Sequence, residues 1–404
     1  MTSGIIITIC VLLLIAYVFD LTSSKTRIPS VIMLLLTGWI VRQIVQFTQM
    51  NIPDLASILP ILGTVGLILI VLEGSLELEV KSSNIQLIKK SVIMAIVPMF
   101  VLAILLTWYV HYSQQTDFRT TLVNIIPLCI ISSAIAIPSV KSLNKQHREF
   151  ITYESSISDI VGVLFFNFVA LNQMVSWSSA GHFLWELLLM IVISFLATIA
   201  LAWLLRRIEH HVKFAPLILL VILIYVISKE YHLPALIFIL LFGLFLGNLD
   251  ELKRFRWIEK LHADEFDTEI HQFRYIVTEG AFIIRALFFI LFGYLLENEQ
   301  ILNTDTIGLA LITTAGIFLL RMIQLKIAGL PIIPLAFVAP RGLITILLFL
   351  SIDASMAVPM INQSLILQVI LLSAFVMMIG MMVTKKETEV AGPEIEPVDQ
   401  LPSR

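Results

Sequence analysis

Apolar residues run along this chain in stretches of about 14 to 23, close to the roughly 20 that a helix needs to cross a bilayer at about 1.5 Å per residue. Short polar loops separate them. About thirteen such runs can be marked out, at 4–19, 29–44, 58–76, 92–110, 120–140, 154–173, 183–205, 214–227, 234–249, 275–296, 306–325, 333–352 and 365–383. The runs lack the period-two alternation of outer-membrane strands, so they predict helices. A helix satisfies its own backbone in hydrocarbon, and the expected fold is an all-α polytopic bundle of about thirteen spans.

Composition excludes a soluble globular domain. Apolar residues make up 58% and charged residues 14%, against the roughly 25% charged of soluble domains, and the mean hydropathy is +0.96. No basic residue precedes the first run, and Asp20 and Leu21 follow it where a signal peptidase would need small residues, so it reads as a retained span. Cys10 and Cys129 fall inside spans as small hydrophobes. One alternating set of loops collects the basic residues, among them Lys25, Arg27, Lys81, Lys141, Lys145, Arg148, Arg206, Arg207, Lys253 and Arg254, and then Lys385 and Lys386 of the tail. The other set holds Arg42, Arg119 and Lys229. This asymmetry predicts an external N-terminus and a cytoplasmic C-terminus in a cell membrane, here a bacterial inner membrane.

The longest hydrophilic loop, 250–273, reads as a cytoplasmic connector or amphipathic helix. The Pro- and Glu-rich tail, 385–404, reads as disordered and too short for a soluble regulatory domain. The sequence shows no phosphate loop, metal-ligand cluster, nucleic-acid patch, cofactor motif or nucleophile with its base, so no enzyme can be assembled. The expected partner is the lipid bilayer.

Chemistry concentrates in the sixth run, Tyr153-Glu154-Ser155-Ser156-Ile157-Ser158-Asp159-Ile160. An ionisable group inside a span is by default a functional hypothesis. At helical spacing Ser155 and Asp159 share one face and Glu154 and Ser158 the next. Two other runs carry prolines in comparable places. The fifth reads Cys129-Ile130-Ile131-Ser132-Ser133-Ala134-Ile135-Ala136-Ile137-Pro138, and the twelfth Pro334-Leu335-Ala336-Phe337-Val338-Ala339-Pro340-Arg341-Gly342. Proline frees backbone groups, and paired interrupted helices in the two halves of a transporter point to a midplane ion site within an inverted repeat.

Arg341 keeps its charge and needs a buried acid or a watery cavity. Glu154 is the expected partner, which leaves Asp159 free to exchange its ligand. A monovalent cation of sodium size takes hard oxygen ligands, which Asp159, Ser155, Ser132 or Ser133 and freed carbonyls of the fifth span can supply. Proton and cation would then compete for one carboxylate. Glu73, near the cytoplasmic end of the third run, either joins this set or reaches water.

At these residues the chain resembles the cation:proton antiporter superfamily, most closely its NhaP/NHE sodium:proton branch. Glu154-Ser155-Ser156-Ile157-Ser158-Asp159 is similar to that branch's E-S-x-x-N-D pattern. Leu72-Glu73-Gly74-Ser75-Leu76 is similar to its F-E-x-x-L, and Pro340-Arg341-Gly342-Leu343-Ile344 to its L-R-G-x-x. The resemblance implies an NhaA/NhaP-like fold with inverted repeats and two discontinuous crossing helices. It implies a homodimer whose dimerisation helices lie at about 4–76 and 183–296 and whose core helices lie at about 92–173 and 306–383, within one antiporter domain, 1–384. The family's activity is exchange of sodium, or of lithium or potassium, for protons by alternating access, without a cofactor and in the service of pH homeostasis. Asp159 would be the shared site, Glu73 and Ser155 its neighbours, and Glu154–Arg341 a core ion pair; Ser158, Pro138, Pro340 and Gly342 would be supporting residues, and Arg321 could brace the core.

Two departures stand out. Ser158 replaces the branch's Asn, and Ser132-Ser133 replaces its Thr-Asp, closer to potassium-efflux relatives. The lack of a second acid beside Asp159 resembles the electroneutral members and implies one cation per proton. Glu279 and Arg285 have no place in the motifs, and six residues apart they stand about 240° apart around a helix. The alternatives are a Kef-like potassium efflux pathway and a membrane scaffold or sensor with structural buried charges.

Overall fold

The computed structural model describes residues 2–26, 28–49, 55–78, 85–172, 177–207, 214–231, 233, 235–248 and 263–384. The tail at 385–404 and the first half of the predicted connector lie outside the described residues. Among them the chain is helical throughout, in the order α1 (Thr2–Thr26), α2 (Ser30–Thr48), α3 (Leu59–Glu77), α4 (Ile85–Gln114), α5 (Phe118–Cys129), α6 (Ser133–Ser139), α7 (Lys145–Leu171), α8 (Trp177–Arg207), α9 (Phe214–Glu230) and α10 (Leu236–Gly247). There follow α11 (Ala263–Leu295), the single turn α12 (Asn298–Ile301), α13 (Thr304–Ile327), α14 (Leu343–Leu350) and α15 (Gln363–Val383).

Taking α5 with α6, and a short turn at Leu335–Phe337 with α14, as one interrupted segment each and leaving α12 aside, the described segments number thirteen. Eight of them are long and apolar enough to cross a membrane. The buried face of α7 carries Glu154, Ser155, Ser156, Ser158 and Asp159; the twelfth is broken; α10 has 12 residues. The tenth begins at Ala263, so the second half of the predicted connector is the first turns of α11.

The helices pack in two groups. In one, α3 lies against α10 and α11, α11 against α2, and α10 against α8. In the other, α4 lies against α5, α7 and α13, and α13 against α15. The backbones of α2 and α11 nearly touch: a Cβ at Gly38 would fall 2.0 Å from the Ile290 carbonyl oxygen, and one at Gly293 2.2 Å from that of Leu35. Between the groups, α3 meets α6, α7 and α14, so α7 borders the seam.

Local signals set the boundaries around this seam. Asn144 caps α7 by accepting from the His147 amide at 2.8 Å, and Asp117 caps α5 by accepting from that of Thr120 at 2.9 Å. Gly329, at φ +63°, closes α13, with the Leu330 amide donating to the Leu325 carbonyl at 2.9 Å and that of Gly329 to Lys326 at 3.3 Å. This is a Schellman end, which needs the left-handed residue, and it turns the chain into the second interrupted segment.

Candidate functional site: crossed chain breaks around Asp159

The first break lies between α5 and α6, where Ile130 and Ser132 are extended. It precedes Pro138 by several residues, which corrects the expectation that this proline makes the interruption. Pro138 sits in the last turn of α6 and limits that helix to 7 residues, because it cannot continue the hydrogen-bond ladder. In the second segment the proline does lie in the break: Pro340 falls between the turn and α14. The two breaks meet where the Ser132 amide donates to the Pro340 carbonyl at 2.9 Å. A Cβ on Gly342 would come within 2.8 Å of Ser132 Oγ and 2.7 Å of Ile135 Cδ1, so the crossing distance depends on glycine there.

The middle of α7 lies against this crossing. Ser158 Oγ accepts from the Ile131 amide at 3.0 Å, so serine makes a bridge to the break despite being shorter than asparagine. Ser133 donates to Asp159 Oδ2 twice, from its amide at 3.3 Å and from its hydroxyl. Asp159 Oδ1 is buried and has no hydrogen-bond partner among the described residues. A turn later, a Cβ on Gly162 would fall 2.4 Å from Ile130 Cδ1, which holds α7 close to the break.

The remaining charges have other partners. Glu154 is paired with Arg321 of α13, in two parallel bonds of 2.6 and 2.8 Å, and Arg321 Nε donates to the Leu335 carbonyl at 2.7 Å. This corrects the expected Glu154–Arg341 pair. Arg341 instead donates to the Leu128 carbonyl at 2.7 Å and to that of Ala339 at 2.9 Å. Leu128 lies in the last turn of α5, where orphan carbonyls and the negative pole of the helix dipole compensate a cation. The Arg341 amide is held by Ser373 Oγ at 3.0 Å. Both guanidiniums are buried. Among the described residues Asp159 forms no ion pair, and it is the carboxylate left over.

Ser132, Ser158, Pro340 and Gly342 lie at the crossing of the two breaks, and Ser133 bonds to Asp159. Ser155 does not bond to it: its hydroxyl is turned back to the Ile151 carbonyl at 2.7 Å. Glu73 faces Arg285 of α11 at 4.0 Å. The partnerships of Arg321 and Ser373 escaped sequence reasoning. Arg321 carries the same signal as Arg341, an arginine within a span, and one glutamate could not be divided between them by spacing. Ser373 carries no signal distinguishable from any serine in an apolar helix.

Two cavities are lined by residues of α7, one by residues before Asp159 and one by residues after it. One, of about 360 Å³, is lined by Glu77, Lys141, Arg148 and Tyr153. The other, of about 550 Å³, is lined by Thr64, Val163, Asn167, Tyr225 and Lys229. Tyr153 precedes Asp159 and Val163 follows it on the same helix, so the carboxylate lies between the two.

The sequence profile of the transmembrane sodium/hydrogen exchangers matches residues 9–385. The chain belongs to this family. Two solved structures of the sodium proton antiporter MjNhaP1 from Methanocaldococcus jannaschii share the fold. One, at pH 8, gives a TM-score of 0.67 at 17% identity, covering 94% of this chain and 96% of the other. The second, from electron microscopy, gives 0.67 at 18% identity, covering 93% and 95%. No individually curated protein matches by sequence. This exchanger-family chain is thus a multi-pass membrane transporter for cation:proton antiport rather than an enzyme, and it needs no cofactor.

Proposed function

We propose that the protein exchanges sodium for protons, one for one and by alternating access, at Asp159. The observation that carries this reading is the Asp159 carboxylate: buried, held on one oxygen by Ser133, unpartnered on the other, and set between two cavities. A cation and a proton compete for such a group. With Glu154 matched by Arg321, a single titrating carboxylate supports electroneutral exchange. Ser132, Ser133, Ser155 and carbonyls of the first break are the further ligands proposed for the cation, and Lys141, Arg148 and the cavity beside them would face the cytoplasm.

In this reading α1–α3 and α8–α11 form a dimerisation domain and α4–α7 with α13–α15 a moving core, in a homodimer of a bacterial inner membrane that serves pH homeostasis. Light scattering in detergent tests the dimer. Exchange itself is tested in proteoliposomes loaded with a pH-sensitive dye, to which Na+, Li+ or K+ is added. Proton movement that saturates with Na+ and passes no net current is expected; a current that scales with transport would overturn the one-to-one stoichiometry. The Ser132-Ser133 pair favours potassium as the second candidate, and the same assay decides.

Ser133→Ala removes one hydrogen bond to a charged group, worth about 1.5–3 kcal/mol. A KM for the cation raised by roughly tenfold to a hundredfold is expected, measured from initial rates. An unchanged KM would mean that the serine is released from Asp159 before the cation binds.

A further inference from the structure

One face of α7 runs from one cavity to the other. At about 100° per residue, Thr152, Ser156, Asp159, Val163 and Asn167 fall within an arc of about 80° around the helix. Thr152 lines the cavity of about 360 Å³, and Val163 and Asn167 line that of about 550 Å³. Ser156 and Asp159 are the two residues of this stripe between them, 8% and 1% exposed. Among the described residues, Ser156 Oγ and Asp159 Oδ1 are also the two buried side-chain oxygens of α7 that have no hydrogen-bond partner. The neighbouring hydroxyls are committed: that of Thr152 donates to the Arg148 carbonyl at 2.9 Å, that of Ser155 to the Ile151 carbonyl at 2.7 Å, and that of Ser158 accepts from the Ile131 amide at 3.0 Å. Opposite Ser156, α3 presents a glycine. A Cβ on Gly74 would lie 3.3 Å from Ser156 Oγ and 4.0 Å from Ile137 Cδ1, and Ile137 also lines the smaller cavity. The Ser156 hydroxyl thus stands one turn from Asp159, on the side of the smaller cavity.

We propose that Ser156 is a ligand of the transported cation, which it shares with Asp159 Oδ1. The inference rests on the reading of Asp159 as the exchange site and adds one oxygen to the ligands named there. Residues three apart on a helix place their Cβ atoms about 5–6 Å from each other, so one ion of sodium size can touch both side chains. A hydroxyl oxygen is a hard, neutral donor of the kind such an ion takes. A buried polar group without a partner is costly, and a single cation satisfies the hydroxyl and the carboxylate oxygen together. Ser155 and Ser156 flank Asp159 on opposite sides of the helix face; the stripe continues to the smaller cavity through Ser156. An ion entering from that cavity passes Thr152, meets the Ser156 hydroxyl and reaches the carboxylate one turn later, so protein oxygens replace its water in steps.

Initial exchange rates against Na+ concentration in proteoliposomes test this, with wild type beside Ser156→Ala, Ser156→Thr and Asp159→Asn. Ser156→Ala is expected to raise KM for Na+ by roughly threefold to tenfold, the worth of one neutral polar contact, with any fall in kcat smaller than that rise. Ser156→Thr keeps the hydroxyl and should restore most of the affinity. A second reading needs no transport: Na+ raises the Tm of a protein that binds it, and at one Na+ concentration in detergent the rise should be smaller in Ser156→Ala than in wild type or Ser156→Thr. A hydroxyl that serves packing alone leaves both KM and the Na+-induced rise in Tm unchanged in Ser156→Ala. That result overturns the assignment, as does an equal loss of affinity in Ser156→Thr. Should Ser156→Ala fail to fold, Ser156→Cys replaces it, because sulfur has a similar shape but is a soft donor that suits sodium poorly: a raised KM supports the role, and an unchanged one overturns it. A wild type without exchange, or exchange that survives Asp159→Asn, overturns the reading of the site itself, whereas loss in Asp159→Asn with Ser156→Ala unchanged overturns the role of Ser156 alone.

Discussion

Asp159→Asn abolishes cation-dependent proton movement, to below roughly 1% of the wild-type rate, while the protein remains folded. The amide is nearly isosteric and can still accept from Ser133, so the packing of α7 against the first break survives. It carries neither the charge that attracts a cation nor a proton to exchange. Thermal stability is expected to stay level or rise, because a buried carboxylate with an unpartnered oxygen is costly and its neutral isostere costs less. In wild type the shared carboxylate makes proton and cation strict competitors. The apparent KM for the cation then rises by roughly tenfold for each pH unit of acidification, once protons occupy the site. A dye-loaded proteoliposome assay at several pH values measures both effects. Persisting cation-driven proton flux in Asp159→Asn would sink the assignment; loss of stability without loss of coupling would favour a structural role for the buried charges.

Arg321→Met is expected to destabilise the protein by about 3–5 kcal/mol, because it leaves Glu154 buried without a cation. The Leu335 carbonyl loses one of its two donors as well, keeping the Val338 amide. Adding Glu154→Gln should recover most of the loss, since the uncompensated charge is then gone. Arg341→Met makes the contrasting case. It strips donors from the Leu128 and Ala339 carbonyls, which are neutral acceptors, and unsatisfied acceptors cost about 1–3 kcal/mol. Glu154→Gln should not rescue it. Thermal unfolding of the six proteins, wild type and Glu154→Gln included, in one detergent checks the set as two double-mutant cycles. Rescue of Arg341→Met by Glu154→Gln, with none for Arg321→Met, would restore the pairing that the sequence suggested.

Much of the site was legible along the chain because membranes make polar groups expensive. An acid in the middle of an apolar run, serines one turn away and prolines in two runs are visible without coordinates, and they converge here: Ser133 on Asp159, Ser158 on Ile131, and Ser132 on Pro340 beside Gly342. Partner choice was not legible. Glu154, Arg321 and Arg341 all lie in different segments, and nothing in their spacing says which arginine reaches the glutamate. Nor does it say that a helix end can satisfy the other one. The position of the first break is hidden for a similar reason: Pro138 is conspicuous, yet the chain opens earlier, at Ile130 to Ser132, where contacts with α7 and Pro340 replace the helical ladder.

By itself the sequence determined that this chain is an all-helical membrane protein with an acid inside one of its spans, because hydrocarbon penalises every unmatched polar group and so leaves a periodic, one-dimensional record. Only the tertiary structure decided which charges neutralise one another. Arg321 takes Glu154, Arg341 caps α5, Arg285 faces Glu73, and Asp159 is left with Ser133. Such pairings depend on distances between helices remote in sequence, and electrostatic and hydrogen-bond energies fall off within a few ångströms.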